Sequence, residues 1–361
     1  LHNTTWLEFD AAALQHNLAQ VRALAPQSAI LAMLKADGYG HGADWVAEVL
    51  AGRVQGFGAA RIEEAIALRR SQADARILLL GTLLDAEILH ICSTQRFDVV
   101  IHRLEDAELL AALPLPAPVR VWLKLNIGMN RLGMHPVDFS AAHRLLNLAP
   151  SVASITHMGH FSDADNLNEN TTREQCKLLT TTSASLGEAP LSAANSAAII
   201  AHPQSHLDWV RPGIMLYGDD PTGSLPDAQK LQAVMQFKSR VIAVKEVVTG
   251  DGVGYNRRWR ANQPCRIATV AAGYADGYPR HAPDGTPVVV RGQRARLAGR
   301  VSMDLLTIDV SDIDGVSTGD EVELWGNQLS ANEVAEHCET ISYELFTRVT
   351  RRVARCYPKG L

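Results

Sequence analysis

The chain has 361 residues, is 47% hydrophobic and 20% charged, and carries a formal net charge of −5. That length is enough for two domains and a large core, and the mildly acidic balance gives no electrostatic footprint for nucleic acid or an anionic membrane. Five scattered cysteines without a CxxC pair point to a reducing compartment, here taken as cytoplasmic, and away from a disulfide framework or zinc ribbon. No apolar run reaches the roughly 18 residues that span a bilayer, and LHNTTWLEFD does not read as a signal peptide.

In chain order, helical spacing begins behind a possible Asp10 cap and runs over 10–24. Eight short apolar runs follow, at 29–34, 56–60, 76–80, 98–102, 119–126, 151–159, 191–194 and 210–216. Helix-like segments lie between them, at 61–70, 85–92, 104–113, 136–148 and 169–185. Eight βα units in this length match a TIM (β/α)8 barrel, with a doubly wound open sheet as the rival arrangement. From about residue 231 the pattern changes to short β-branched runs at 240–248, 266–271, 287–291, 305–310 and 321–324, parted by glycine-rich turns. The reading is therefore a barrel over 1–232 and a β-rich domain over 233–361. Residues 218–230 form the linker, a short helix covers 330–337, and 343–357 is a mixed end.

A barrel presents its chemistry at the C-terminal ends of its strands. The polar residues there are Lys35, Arg131, His160, Asn195, Ser196 and Arg211, with Gly213 and Ile214 beside the last strand. Each has an ordinary structural use. A lysine after an apolar run is commonly a solvated strand end, and Asp37-Gly38 is a common hairpin turn signal. The glycines of LKADGYGHG meet neither nucleotide-loop spacing. His157/His160 and His202/His206 have ligand-like spacings, but no carboxylate motif completes a metal site, so no metal is expected. No GxSxG elbow is present. A lysine at a barrel mouth then suggests Schiff-base chemistry, with a carbonyl substrate or pyridoxal phosphate.

LKADGYGHG resembles the cofactor-lysine signature of the bacterial alanine racemases, fold type III pyridoxal-phosphate enzymes. WLKLNIGMNRLG, HMGHFSDAD, AANSAA, VRPGIMLYG, GVGYNRRW, AAGYADGYPR and GRVSMDLLTIDV resemble that family's further motifs, in order along nearly the whole chain. The resemblance implies that Lys35 holds pyridoxal 5'-phosphate covalently. It implies that Tyr39, Asn195, Ser196, Gly213 and Ile214, with Tyr343, grip its phosphate, and that Arg211 faces the pyridine nitrogen. Lys35 and Tyr255, the latter from a partner subunit, become the two bases that invert alanine's α-carbon. A free tyrosine has a pKa near 10, and His160 between Tyr255 and Arg211 is the implied source of a cationic setting. Arg131 is implied to touch the substrate carboxylate and the cofactor's phenolic oxygen. Met303 and Asp304 complete the substrate end, Tyr274 narrows the entrance, and Lys124 sits where several members carry a carbamylated lysine. The implied assembly is a head-to-tail homodimer with composite sites. The sequence departs from the family in carrying Asn126 for an aspartate and Asn130 and Asn256 for glycines. A non-catalytic cofactor-binding barrel and a basic-amino-acid decarboxylase are the competing functions. Tyr255 argues against the first, and Arg211, in place of an acidic partner, against the second.

Overall fold

The structure is a computed structural model that describes residues 4–168 and 170–358. Two compact units divide the chain. One comprises 15–216 and 220–231; the other joins the segment through Leu14, Tyr217–Asp219 and the chain from Gln232 onward. The first strand, β1 (Thr5–Phe9), belongs to the second unit's sheet and was not anticipated from sequence. The helix Ala11–Leu24 follows it, with Asp10 Oδ1 accepting hydrogen bonds from the Ala12 and Ala13 amides, as its capping position predicts.

Eight parallel strands close the barrel of the first unit: β2 (Ala29–Met33), β3 (Gly56–Ala59), β4 (Ile77–Leu79), β5 (Phe97–Ile101), β6 (Val119–Lys124), β7 (Val152–Met158), β8 (Leu191–Ser192) and β9 (Trp209–Val210). Both faces of these strands are covered, one by the barrel interior and one by helices. β3, β4 and β5 are therefore buried at every residue and read as unbroken apolar runs. The run 210–216 is mostly not strand. β9 ends at Val210, Pro212 and Gly213 break the ladder, and Ile214–Tyr217 forms a 3-10 turn.

The second unit is an eight-stranded sheet. It contains β1, β10 (Met235–Val247), β13 (Cys265–Val270), β14 (Pro287–Val290), β15 (Gln293–Leu297), β16 (Leu306–Asp309), β17 (Glu321–Trp325) and β18 (Ala354–Cys356). A small hairpin of β11 (Gly252–Val253) and β12 (Trp259–Arg260) stands outside it. The thirteen-residue β10 pairs with β17 along its first half and with β13 along its second, which closes six strands into a ring. β1 pairs with β10 on one edge and with β18 on its other. In chain order, then, a helix-covered parallel barrel is followed by a mainly antiparallel β domain.

Candidate active site

Lys35 follows β2 at the barrel mouth, and the residues behind it do something unusual. Ala36, Asp37, Gly38 and Tyr39 all have φ between 54° and 61°, a full turn of left-handed helix. For the three non-glycine residues this conformation costs about 1–2 kcal/mol each. The turn is held from several sides. Gly38 N donates to Leu34 O (2.8 Å), Gly40 N to Ala36 O (2.9 Å) and Gly42 N to Asp37 O (2.8 Å), while Ala43 N donates to Asp37 Oδ1 (3.0 Å). Glu64, at the start of the helix Ile62–Ser71, accepts from Ala36 N (2.8 Å), Ala60 N (2.8 Å) and Arg61 N (3.2 Å), and so ties the turn to the next βα unit. Sequence reasoning missed Glu64. Its one signal was a glutamate three residues into a predicted helix, a capping-box position without the Ser or Thr that usually announces it.

Burial, then Arg131 and Arg211, push the Lys35 ammonium below its usual pKa, with Glu64 opposing them. The neutral amine, the nucleophilic form, is thereby favoured. Lys35 Nζ lies 5.9 Å from the centroid of the Tyr39 ring. Burial raises the Tyr39 phenol well above its ordinary range, so it stays protonated as a donor. A Cβ on Gly213 would lie within 2.5 Å of Tyr39 Oη, so the left-handed turn after β2 and the loop after β9 meet at a point that only glycine admits. Ser196 Oγ accepts from Gly213 N (2.9 Å) and Met215 N (3.3 Å), and Asn195 caps the short helix Ser196–Ala201 by accepting from Ala198 N (3.0 Å). Ile214 is fully buried beside them.

Arg211, directly after β9, is 4% exposed. It donates to Ser192 Oγ (2.5 Å), Gly159 O (2.7 Å) and Ala193 O (3.1 Å), and its Nη2 lies 3.4 Å from His160 Nδ1. Burial lowers its pKa to about 10, so it remains a cation at neutral pH. His160 goes the other way. Burial first and Arg211 next hold the imidazole far below its usual pKa, so it is neutral. This corrects the expectation that His160 supplies positive charge; the cation is the Arg211 guanidinium, and donation to Nδ1 leaves the His160 proton on Nε2. Lys124, the last residue of β6, is 8% exposed. It is lowered to about 8 by burial and then by Arg211 and Arg131.

Arg131 sits in an exposed loop after β6 whose shape Asn126 dictates. Asn126 Oδ1 accepts from Gly128 N (3.1 Å) and Asn130 N (3.1 Å), and its Nδ2 donates to Asn130 Oδ1 (2.8 Å). Asn130 has φ 57° and Asn256 φ 61°. Both departures from a family glycine therefore fall in the left-handed region, where asparagine is among the best tolerated substitutes. The first is also matched to Asn126. An aspartate there could not donate to the Asn130 carbonyl, whereas the amide does.

In the second unit, Tyr255 is 67% exposed on the turn between β11 and β12, with Gly254 against the Arg300 backbone. Tyr274 N donates to Ser302 O (3.0 Å) and Ala275 N to Met303 O (2.9 Å), which brings Tyr274, Met303 and Asp304 together. Arg352 clamps this pair of loops. Its Nε meets Asp276 Oδ1 and its Nη2 meets Asp304 Oδ1, both at 2.8 Å, while Asp276 Oδ2 accepts from Gly273 N (2.8 Å). Nothing in the sequence around Arg352 singles it out; only the fold gives it two carboxylate partners. Tyr343, half-buried, lies early in the helix Ser342–Arg348.

The HxxH pair divides. His160 turns to Arg211, whereas His157 is fully buried on the opposite, helix-facing side, 2.9 Å from His143 Nδ1 and 2.7 Å from Ser183 Oγ. His202 and His206 are each engaged with a backbone carbonyl, Ala164 O at 3.1 Å and Ile199 O at 2.9 Å.

A desolvated lysine flanked by arginines, facing a cradle of hydroxyls and backbone amides across a barrel mouth, is the equipment of an enzyme that joins an amine to a phosphorylated carbonyl compound. Family models fit both parts of the chain: the alanine racemase N-terminal domain over residues 9–221 and the C-terminal domain over 234–357. The chain is 45% identical over 354 residues to the biosynthetic alanine racemase of Pseudomonas aeruginosa, covering 96% of this chain and 97% of that protein. It is likewise 45% identical over 348 residues to the alanine racemase of Vibrio cholerae, at 96% of each. Its fold is similar to the crystal structure of the Pseudomonas aeruginosa biosynthetic enzyme, with a TM-score of 0.95, 44% identity and 99% coverage of both chains. It is similar as well to an alanine racemase from Bartonella henselae with covalently bound pyridoxal phosphate, with a TM-score of 0.89, 27% identity and coverage of 98% and 99%. The chain belongs to the alanine racemase family.

Proposed function

We propose that this chain interconverts L- and D-alanine with pyridoxal 5'-phosphate as cofactor, supplying D-alanine for peptidoglycan or serving alanine catabolism. The observation that carries the reading is the convergence of Lys35 and Tyr39, Ser196, and Arg211 from three different βα loops on one barrel mouth. The residues fit the cofactor. The Gly213–Tyr39 approach leaves no room for a side chain where a phosphate needs backbone donors, and Tyr39 and Ser196 bring hydroxyls to the same place. Bound there, the cofactor's ring draws electrons from the substrate α-carbon and acidifies its C–H bond.

The rest of the chemistry falls to the protein. Lys35, its ammonium pKa lowered by burial and by the two arginines, holds the cofactor and exchanges a proton on one face of the α-carbon. Tyr255 of the partner subunit does so on the other. Arg211 faces the pyridine nitrogen as a guanidinium, pKa about 10, so it donates a hydrogen bond without readily surrendering a proton. That limits charge build-up on the ring and favours return of the proton over side reactions. With its Nδ1 turned to Arg211, His160 keeps an Nε2–H that would donate to the phenolic oxygen of the partner's Tyr255 and pass on the influence of the Arg211 charge. Arg131 takes the substrate carboxylate and the cofactor's phenolic oxygen, Met303 and Asp304 bound the substrate end, Tyr274 narrows the entrance and Tyr343 assists at the phosphate. Lys124, with its lowered pKa, is suited to carbamylation and to pairing with Arg131.

The domains on this reading are a barrel over 1–232, whose first strand nonetheless joins the second unit's sheet, and a C-terminal domain over 233–361 that completes the partner's site in a homodimer. The exposure of Tyr255, Tyr274 and Met303 supports it. No helix among the described residues is long and apolar enough to cross a membrane, and a cytoplasmic location accords with five free cysteines. The test is a racemisation assay over several amino acids with deuterium wash-in. Lys35→Ala and Tyr255→Phe should each lose about 10²–10⁴-fold. Mixing the two inactive variants under exchange should restore activity, because a hybrid dimer has one intact composite site. A cofactor-loaded chain that leaves L-alanine optically unchanged would refute the function, and absence of restoration would refute the composite site.

A further inference from the structure

The end of the barrel away from Lys35 carries a second cluster of charge that the racemase chemistry does not use. Asp98, near the start of β5, is fully buried and accepts three donors: Arg76 Nε (2.6 Å), Arg120 Nε (2.7 Å) and Trp122 Nε1 (3.0 Å). Both arginines spend Nε on the carboxylate, and their Nη groups make no hydrogen bond among the described residues. The Arg76 guanidinium also lies over the Trp209 ring, 4.7 Å from its centroid, which fixes its plane. Arg76 and Arg120 border a cavity of about 520 Å³, open to solvent and also lined by Arg69, Asp74, Arg96 and Ser93. Such a volume is large enough for a small metabolite as well as for a single oxyanion.

Several backbone carbonyls beside the cavity are already engaged by arginines. Arg69 donates to Gln72, Ala73, Ala75, Gln95 and Arg96 carbonyls, and Arg96 donates to Ala73 O and Asp74. Four guanidinium groups face two carboxylates, so the cavity has a net charge of +2. Crowding of like charge shows in Arg69, which burial first and Arg96 next hold below its usual pKa. Guanidinium forks with idle Nη donors are matched to tetrahedral oxyanions.

We propose that this cavity is a binding site for a phosphate dianion, free or as a phosphate monoester, seated on the Nη groups of Arg76 and Arg120 with Arg96 at the rim. The site is separate from the cofactor's phosphate cradle, and its occupation does not depend on the racemase reading.

The test is equilibrium dialysis of the cofactor-loaded protein, in phosphate-free buffer, against labelled inorganic phosphate and against glucose 6-phosphate. About one equivalent per chain should bind beyond the cofactor, and Arg120→Gln or Arg96→Gln should each weaken it about tenfold or more. Racemisation by both variants should be unchanged. Equal affinity for the two probes assigns the site to the free anion, and tighter glucose 6-phosphate assigns it to a phosphorylated metabolite. Where Arg120→Gln does not fold, Arg96→Gln at the exposed rim decides. Absence of saturable binding, or binding indifferent to the variants that fold, overturns the proposal.

Discussion

His157 makes the pH dependence of stability a direct check on the packing of the barrel's helix layer. It is fully buried, hydrogen-bonded to His143 and Ser183, and its ring lies edge-on to Phe139 with centroids 4.9 Å apart. Burial first and His143 next lower its pKa from 6.5 to about 4. Above pH 6.5 it is neutral in both folded and unfolded chains and contributes no pH dependence. Below 6.5 the unfolded chain takes up a proton that the folded chain refuses, so stability falls until about pH 4, at about 1.36 kcal/mol per pH unit. From pH 7 to pH 4.5 His157 alone should remove about 2.7 kcal/mol. His157→Gln keeps a side chain that can meet Ser183 and His143 but does not titrate. Urea unfolding at the two pH values, wild type beside variant, reads the contribution of His157 together with its coupling to His143. If the wild type loses no more stability than the variant, to within about 0.5 kcal/mol, the packing argument is wrong.

Three further outcomes are expected. Glu64→Gln loses a carboxylate that accepts three backbone amides, and should destabilise by about 1.5–3 kcal/mol while lowering the Lys35 pKa further, read from denaturation and from the pH dependence of Lys35 acylation. Arg211→Met strands the Gly159 and Ala193 carbonyls and Ser192 Oγ in the interior at a cost of about 3 kcal/mol or more, and should raise the His160 pKa, followed by imidazole NMR shifts against pH. Arg352→Gln releases Asp276 and Asp304 together. Racemisation should fall about tenfold or more in kcat/KM, with Arg352→Lys recovering part of the loss; activity equal to wild type would show that the clamp does not position the substrate end.

The barrel, the β domain behind it and the identity of the residues at the strand ends were legible in the amino-acid order alone. Buried parallel strands need continuous apolar runs, and each run ends where the chain must turn, so Lys35, Asn195-Ser196 and Arg211 announced themselves by position. The N-terminal strand was invisible because five residues, TWLEF, carry no period of their own and become strand only by pairing with β10 and β18. The run at 210–216 looked like strand because apolar content does not distinguish a ladder from a buried 3-10 turn.

How those residues are conditioned emerged only once the chain was folded. LKADGYGHG promised a turn, but its left-handed hand is enforced by Glu64, a residue from the following βα unit. His157 and His160 share one motif and face opposite sides of a strand end, one to a serine and a histidine, the other to Arg211. Arg352 and Asp304 are 48 residues apart in sequence and form one clamp in space. Protonation state, hand and partner are set by desolvation and by charges several ångströms away through space. A one-dimensional pattern fixes neighbours along the chain but leaves those distances free.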